Sequence, residues 1–233
     1  MTFATIEHAL EQLRSGRPVL VLDDEDRENE GDAILAAELA SPQWVGWMVR
    51  HTSGYLCAPM EDTRADRLGL PLMWSANTDP LRTRYTVSVD AATSTTGISS
   101  VERAATTRAL ADPRTTSADL IRPGHVLPLR ARDGGVLTRR GHTEAAVDLT
   151  RLAGLQAVGL IGEIVHDDGT CARTPDVLAL GQAEGLDVIT IESLANWRRS
   201  HEEQPSTTTP GSSTTRVSPT VSAQSVSYTH LRA

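Results

Sequence analysis

A run of acidic side chains occupies residues 23–32, DDEDRENEGD, where seven of ten residues are Asp or Glu and Arg27 is the one cation. Carboxylates this close repel one another, so they need a cation, protons or open water between them. The run follows an apolar stretch, PVLVL, and α/β proteins place ligand sites at the ends of such strands. The interpretations are a divalent cation held by one or two carboxylates plus substrate oxygens, or a solvated turn.

A second group of candidate side chains lies in GGVLTRRGHTEAAVDLTRLAG, residues 134–154. His142 and Thr143 begin a predicted helix, and Arg139 precedes it. Helix N-termini bind anions through free N–H groups and the helix dipole. Arg139 and Thr143 could therefore hold a phosphate group. The alternative is that His142 or Thr143 only caps the helix and Arg139 lies on the surface.

Two further residues could take part in chemistry. His125, in RPGHVLPLRA, follows a Pro–Gly pair that we expect to form a rigid turn before a strand, and it is either structural or catalytic. Glu163 lies within the apolar stretch GLIGEIV. A carboxylate in a buried strand is costly unless it is paired or takes part in a reaction, which favours a functional role for Glu163.

The composition limits the classes of protein. All 22 basic residues are arginine, which excludes a lysine Schiff base. The net charge of −8 argues against nucleic acid or an anionic membrane as the main partner. No apolar run approaches the ~20 residues of a membrane span, and the N-terminus lacks the apolar core of a signal peptide. Two cysteines form no disulfide framework. We therefore expect a cytoplasmic protein.

Helices and strands are predicted to alternate and to position these side chains. Helices are expected at 6–13, 41–51, 99–112, 142–154, 175–185 and 192–199. Strands are expected at 18–22, 55–59, 84–91, 125–131, 157–165 and 187–193, with 33–39 either strand or helix. The predicted fold class is α/β (α+β), a mixed sheet covered by helices in a layered single domain. That domain spans residues 1–200, and the Ser/Thr/Pro-rich residues 201–233 are predicted to be disordered.

Five segments, in this order, resemble the 3,4-dihydroxy-2-butanone 4-phosphate synthase family of riboflavin biosynthesis: DDEDRENEGD, TTGIS, RPGHVLPLRA, GGVLTRRGHTEAAVDLTRLAG and GEIVHDDGTCAR. The resemblance covers about residues 2–199. It implies a lyase that converts D-ribulose 5-phosphate to formate and L-3,4-dihydroxy-2-butanone 4-phosphate. It also implies Mg²⁺ or Mn²⁺ as cofactor and a homodimer with both active sites at the interface.

The resemblance assigns roles to individual residues. It implies Glu28 and His142 as metal ligands and His125, Glu163 and Asp32 as catalytic residues. Cys57 matches a cysteine near the family's site. The implied substrate-binding residues are Arg27, Glu28, Asp32, Arg139, Arg140, Gly141, His142, Thr143 and Glu163, with Arg27 and Asp32 on the sugar and Arg139 and Thr143 on the phosphate.

The implied reaction explains the acidic run by a cation. Its first step removes a proton next to a ketone, and a divalent cation stabilises the resulting enediolate. Water is then lost, the carbon skeleton migrates, and one carbon leaves as formate. Each step moves protons, so acid/base groups of different pKa are needed around one small sugar.

Some residues depart from the family pattern, and other functions stay open. Cys171 stands where methionine is usual, and Arg84 replaces a small residue, so that a new cation could lie near the pocket. One alternative is a truncated fusion with GTP cyclohydrolase II, although no cysteine for that domain's zinc site follows residue 200. The others are a non-catalytic sugar-phosphate-binding paralogue and another metal-dependent enzyme acting on pentose phosphates, such as an isomerase or aldolase.

Overall fold

The computed structural model describes residues 3–202. The predicted disorder of the Ser/Thr/Pro-rich segment therefore lies outside the described residues, except that the last helix continues to Glu202. No helix within this described part is long and apolar enough to cross a membrane.

Helices and strands alternate through the described residues. The helices are α1 (Ile6–Arg14), α2 (Pro42–His51), α3 (Asp62–Arg67), α4 (Ser100–Ala111), α5 (His142–Leu152), α6 (Thr174–Glu184) and α7 (Ile191–Glu202). The strands are β1 (Val19–Leu22), β2 (Gly31–Ala36), β3 (Cys57–Met60), β4 (Val89–Ala91), β5 (Leu120–Arg130), β6 (Gly159–Glu163) and β7 (Val188–Thr190).

The strands form one mixed sheet in the order β4-β5-β3-β6-β2-β1-β7. The β3–β5 and β1–β7 pairs are parallel, and the remaining neighbours are antiparallel. Successive side chains of a strand point to opposite faces, and each face here is covered by helices. The predicted mixed sheet within a layered domain is thus confirmed.

Two hydrophobic layers lie on the two faces of the sheet. Leu20, Leu35 and Met60 pack on one face with residues of α2, α3, α4 and α6. Val21 and Ile34 pack on the other face with residues of α1, α5 and α7. The strand alternation visible in the sequence therefore sorts side chains between the layers, and α5 lies on the second face.

Helix starts follow the capping residues in the sequence. The hydroxyl of Ser41 accepts a hydrogen bond from the backbone N–H of Trp44, and Pro42 is the first helical residue of α2. Ser99 is the cap of α4, because its hydroxyl accepts a hydrogen bond from the backbone N–H of Glu102.

Three local predictions need correction. Pro123 and Gly124 form no turn before a strand but lie within β5. A Cβ on Gly124 would lie 2.0 Å from the carbonyl carbon of Val89, so glycine is needed where the β4 backbone approaches. Of the predicted strand 84–91 only Val89–Ala91 forms β4, and β7 ends at Thr190 because α7 begins at Ile191.

Candidate active site

A cavity of about 310 Å³ opens where β1 and β6 end and β2 begins, on the sheet face that α5 covers. Its volume lies at the lower end of the range for small-molecule sites. Seven of the predicted site residues line it, together with Cys57: Arg27, Glu28, Asp32, Arg139, His142, Thr143 and Glu163. The fold therefore brings most of the predicted site residues into one cavity.

Strand register places two carboxylates side by side in this cavity. Asp32 on β2 pairs with Glu163 on β6 in the antiparallel ladder. Asp32 lies two residues from Ile34, and Glu163 two residues from Ile161, and both isoleucines pack in the layer beneath α5. By the alternation of strand side chains, both carboxylates face α5. Ser53 donates a 2.8 Å hydrogen bond to Glu163.

His142 points its ring into the carboxylate cluster from the first turn of α5. Its Nε2 lies 3.1 Å from the carbonyl oxygen of Val21, so Nε2–H is the donor and Nδ1 faces the cavity. Nδ1 is 3.6 Å from both Glu28 Oε2 and Asp32 Oδ1. Burial lowers the pKa of His142, but the facing Asp32 and Glu28 carboxylates outweigh it and raise the pKa to about 9.

Asp32 is the most buried acid of the cavity. Burial, together with the negative charges of Glu163 and Glu28, raises the pKa of Asp32 to about 7 despite the opposing charge of His142. Among residues 3–202 no group hydrogen-bonds its Oδ1 atom. A buried oxygen of this kind favours a proton or a cation next to it.

The acidic run folds around Asp23. The Asp23 carboxylate accepts hydrogen bonds from the backbone N–H groups of Glu28 and Glu30, at 3.1 and 2.9 Å. Arg27 Nη1 lies 2.9 Å from Asp23 and 3.0 Å from Glu28. Burial raises the pKa of Glu28, but His142 and Arg27 outweigh this and lower it below its ordinary value. The run is thus a loop folded around the buried Asp23, with Glu25 and Asp26 exposed to solvent.

The donor atoms around this loop fit a divalent cation. Ligand atoms of Asp23, Glu28 and His142 all lie within 4.8 Å of one another. Asp23 accepts hydrogen bonds from two backbone N–H groups and Arg27, so its oxygens are more engaged than those of Glu28, which contacts Arg27 and His142. Two ligands about 2.1 Å from one magnesium ion are roughly 3 to 4 Å apart, which matches the 3.6 Å between Glu28 and His142.

The N-terminus of α5 forms the opposite wall. Its N-cap is Gly141, which offers no side-chain cap, so the alternative that His142 or Thr143 merely caps the helix is wrong. The first-turn N–H groups are therefore open to an anion. A Cβ on Gly141 would lie 2.3 Å from Arg139 Nη1, so glycine lets this guanidinium cross the helix start.

Sequence reasoning missed the residues that hold Arg139. Its Nη1 lies 2.6 Å from the buried carboxylate of Glu144. Its Nε and Nη2 donate hydrogen bonds to the Leu81 carbonyl, and Nη2 also donates to the Thr83 hydroxyl. The sequence indicates Glu144 only weakly, because it is an acid on the apolar side of a predicted amphipathic helix. Leu81, Thr83 and Asp79 line the cavity from a loop without periodicity, and Tyr85 lines it from the segment predicted as the strand 84–91.

Two predicted site residues, Arg140 and His125, lie elsewhere, as does Arg84, and Gly141 at the start of α5 is not among the cavity-lining residues of the described chain. Arg140 makes a bidentate contact with Asp24, at 2.7 Å for each pair, and is not among the cavity-lining residues of the described chain. His125 lies beyond the cavity on β5, paired with Asp90. Arg84 faces away from the site and binds Asp62 at 2.8 Å, so it adds no cation to the pocket.

The two cysteines differ in their surroundings. Cys57 lines the cavity at the start of β3, and burial, with the charges of Glu163 and Asp32, raises the pKa of its thiol well above the ordinary value. Cys171 is half-buried, and the Glu30 carboxylate raises the pKa of its thiol. Both thiols are therefore kept in the protonated, weakly nucleophilic form at neutral pH.

The chain matches the model of the 3,4-dihydroxy-2-butanone 4-phosphate synthase family over residues 7–197 and belongs to that family. It is 57% identical over 204 residues to the riboflavin biosynthesis protein RibBA of Salinispora arenicola, covering 87% of this chain. That alignment covers 49% of the relative, so the chain spans about half the length of the curated relatives it matches.

Solved structures support the fold. A 3,4-dihydroxy-2-butanone 4-phosphate synthase in complex with two magnesium ions aligns with a TM-score of 0.83 and 43% identity. The alignment covers 86% of this chain and 99% of that one. The synthase of Candida albicans aligns with a TM-score of 0.79 and 47% identity, over 85% of this chain and 99% of that one.

Proposed function

We propose that this chain converts D-ribulose 5-phosphate to L-3,4-dihydroxy-2-butanone 4-phosphate and formate, as a lyase of riboflavin biosynthesis. The observation that most supports the proposal is the cavity itself. It combines a pair of carboxylates, an imidazole facing them and an open helix N-terminus with an arginine, within a chain of the synthase family. Residues 1–200 would form the catalytic domain.

The α5 N-terminus would bind the phosphate group. Thr143 offers its hydroxyl and N–H, and Arg139 offers charge, held in place by Glu144. Arg27, Glu28, Asp32 and Glu163 would contact the sugar at the other end of the cavity. Gly141 would contribute by leaving room for the Arg139 guanidinium, since a side chain at residue 141 would meet it. Arg140 would contribute by holding the acidic loop in place through its contact with Asp24.

Glu28 and His142 would hold the cofactor, which we propose to be Mg²⁺ or Mn²⁺. Magnesium is the ion named for one solved neighbour, and oxygen-rich sites suit both ions. When bound, the cation would stabilise negative charge that develops on the sugar oxygens. Asp23 would keep Glu28 in place through its hydrogen bonds to the loop backbone.

The remaining carboxylates would move protons. Asp32, with its pKa near 7, can hold a proton at Oδ1 at neutral pH. Glu163, fixed by Ser53, would exchange a proton at Oε1, since Oε2 is the atom that Ser53 holds. Two acids with different surroundings can serve different steps of one reaction.

We further propose a homodimer in which the partner completes the site. His125 lies outside the cavity of its own chain, and its side chain is 43% exposed. An exposed histidine on β5 can reach a neighbouring copy's cavity across a symmetric interface. We propose the cytoplasm as location, since phosphorylated sugars are made there, and no nucleic-acid or membrane partner, in keeping with the net charge of −8.

Product analysis tests the reaction. The purified chain is incubated with ribulose 5-phosphate and Mg²⁺, and formate and the four-carbon phosphate are measured by NMR. We expect the two products in equal amounts. A pentose phosphate isomer as product would indicate an isomerase, and binding without turnover would indicate a non-catalytic paralogue; either result would overturn the proposal.

A further inference from the structure

A buried ion pair between Asp148 and Arg198 joins α5 to α7. Asp148 on α5 is 1% exposed, and Arg198 on α7 is 8% exposed. Arg198 Nη1 lies 2.7 Å from Asp148 Oδ2. Removal of one partner from such a pair leaves an uncompensated charge in the interior, so the two residues act as a unit.

The pair also holds the backbone of the loop that precedes α5. Asp148 Oδ2 accepts a 2.8 Å hydrogen bond from the backbone N–H of Val136. Arg198 Nη1 donates a 2.9 Å hydrogen bond to the carbonyl oxygen of Gly134. Side chains from two helices therefore fix the first part of this loop.

Gly135 lets the loop backbone approach Asp148 closely. It has φ +61°, and a Cβ there would lie 2.2 Å from Asp148 Oδ1, so a larger residue would push the loop and the carboxylate apart. The carbonyl oxygen of Gly135 accepts hydrogen bonds from the backbone N–H groups of Thr138 and Arg139, each at 3.0 Å. The backbone of Arg139 is thereby tied to the segment that the ion pair holds.

We propose that Asp148 and Arg198 are positioning residues that set the place of Arg139 for binding the phosphate group of the substrate. The proposal rests on the proposed function, in which Arg139 and the start of α5 bind that phosphate. Neither member of the pair is among the cavity-lining residues of the described chain, so both act through the loop backbone. Hydrogen bonds between arginine and phosphate depend on geometry, so a displaced loop weakens them.

Arg198→Met and Arg198→Lys separate the charge at this position from the bulk of the side chain. The same nitrogen, Nη1, contacts both Asp148 and Gly134, so one ammonium group can replace both contacts. Methionine is unbranched as well but donates no hydrogen bond. Arg199→Met is the matched control, since Arg199 is the next residue of α7, is exposed, and contacts Asn196 of the same helix at 2.8 Å.

The test combines kinetics on ribulose 5-phosphate with titration of inorganic phosphate into ¹⁵N-labelled protein, followed at the backbone amide of Thr143. For Arg198→Met we expect KM and the dissociation constant of phosphate to rise at least about 5-fold, a part of the roughly 10- to 100-fold expected for loss of Arg139 itself. We expect kcat and Mn²⁺ binding to stay within about 2-fold, because the lost interaction concerns binding alone. Arg198→Lys and Arg199→Met should both resemble the wild type.

Two results would overturn the role of the pair. One is a lower Tm for Arg198→Met with KM and phosphate affinity unchanged, since the pair then only stabilises the fold. The other is an Arg198→Lys variant that binds phosphate no better than Arg198→Met. If Arg198→Met does not fold, Asp148→Asn with Arg198→Met removes both charges, and the amide oxygen can still accept from Val136. Unchanged phosphate affinity in that double variant counts against the proposal.

The phosphate titration also keeps this proposal apart from the proposed function. A wild type that makes no formate, but whose phosphate affinity falls in Arg198→Met, contradicts the proposed reaction and leaves the role of the pair supported. A wild type that makes formate but does not bind phosphate near Thr143 contradicts the phosphate site, and the role of the pair with it.

Discussion

At the scale of single residues, four carboxylates in or beside one cavity have different surroundings. Asp23 accepts hydrogen bonds from two N–H groups, and Glu28 is paired with Arg27. Asp32 is buried with an Oδ1 that no group of residues 3–202 hydrogen-bonds, and Glu163 accepts a hydrogen bond from Ser53. Their neighbours set which of them can bind a cation and which can hold a proton. Chemically identical side chains thereby acquire different functions.

Glu28→Ala and His142→Ala should each abolish formate production. Each removes one of the two protein ligands proposed for the cation, and the remaining ligand alone binds it weakly. The measurement is formate release together with Mn²⁺ binding by electron paramagnetic resonance. Glu25→Gln is the control, because Glu25 is an exposed acid of the same loop and should keep both properties. Full activity in either alanine variant would contradict the ligand assignment.

Arg139→Ala should mainly raise KM. Charge-assisted hydrogen bonds contribute about 1.5–3 kcal/mol, which corresponds to roughly 10- to 100-fold in KM. Steady-state kinetics with ribulose 5-phosphate gives KM and kcat separately. Arg132→Ala, an exposed arginine nearby, should leave both unchanged. An unchanged KM in Arg139→Ala would refute the phosphate role.

The residue types of the site could be predicted, whereas their partners could not. Arg139, His142 and Glu163 stand out because a charged residue interrupts an apolar pattern or opens a helix. Glu144 and Asp24, which hold Arg139 and Arg140, are ordinary acids in the sequence. Their contacts depend on tertiary packing between segments that local periodicity does not relate.

At the scale of elements, Glu102 organises the loop between β4 and α4. Its carboxylate accepts from the N–H groups of Thr95 and Gly97 and from hydroxyls of the same loop. The backbone hydrogen bond from Thr95 is the largest cause that lowers the pKa of Glu102 from 4.5 to about 2. The loop adjoins Asp90 through Gly97, so Glu102 supports the position of His125 indirectly.

This lowered pKa predicts a pH-dependent stability. A carboxyl whose pKa is depressed on folding stabilises the fold fully above pH 4.5, and the effect is lost as pH falls towards 2. Glu102→Gln should therefore lower Tm at pH 7, and the difference from wild type should shrink between pH 4.5 and pH 3. Thermal unfolding across this range measures it. A difference that stays constant down to pH 3 would show that the charge of Glu102 is not responsible.

Element boundaries could be predicted where a local signal decides them. Ser41 with Pro42 and Ser99 mark the starts of α2 and α4, and the structure confirms both. The Pro123–Gly124 pair is a turn signal in isolation, yet it lies inside β5 because Gly124 meets a neighbouring strand. That contact joins segments more than thirty residues apart, so tertiary structure overrides the local preference.

At the scale of the whole molecule, the sheet order brings the acidic loop, α5 and β6 together but leaves His125 outside. The alternation of elements predicted the layered α/β class, whereas the strand order depends on long-range pairing that one sequence does not reveal. If His125 contributes to the cavity of a second copy, as proposed, the fold of one chain does not show that contact. A site shared with a second copy stays a prediction, and it comes from the resemblance alone.

Complementation tests the shared site. His125→Ala and Glu28→Ala, each inactive alone, are co-expressed so that mixed dimers form. Random pairing makes about half the dimers mixed with one intact site each, so about a quarter of wild-type activity should return. Co-expression of Glu28→Ala with His142→Ala is the control and should stay inactive, because both changes affect the same half of the site. No recovery in the first mixture would contradict a site completed by the partner.

The central claim is that the acidic loop and α5 form a metal-dependent site for formate release from ribulose 5-phosphate. The most direct measurement is formate production by the wild-type chain before chelation with EDTA, after it, and after Mg²⁺ is added back. The claim predicts formate at the start, its loss on chelation and its return with Mg²⁺. Formate production that EDTA leaves unchanged would contradict the role assigned to Glu28 and His142.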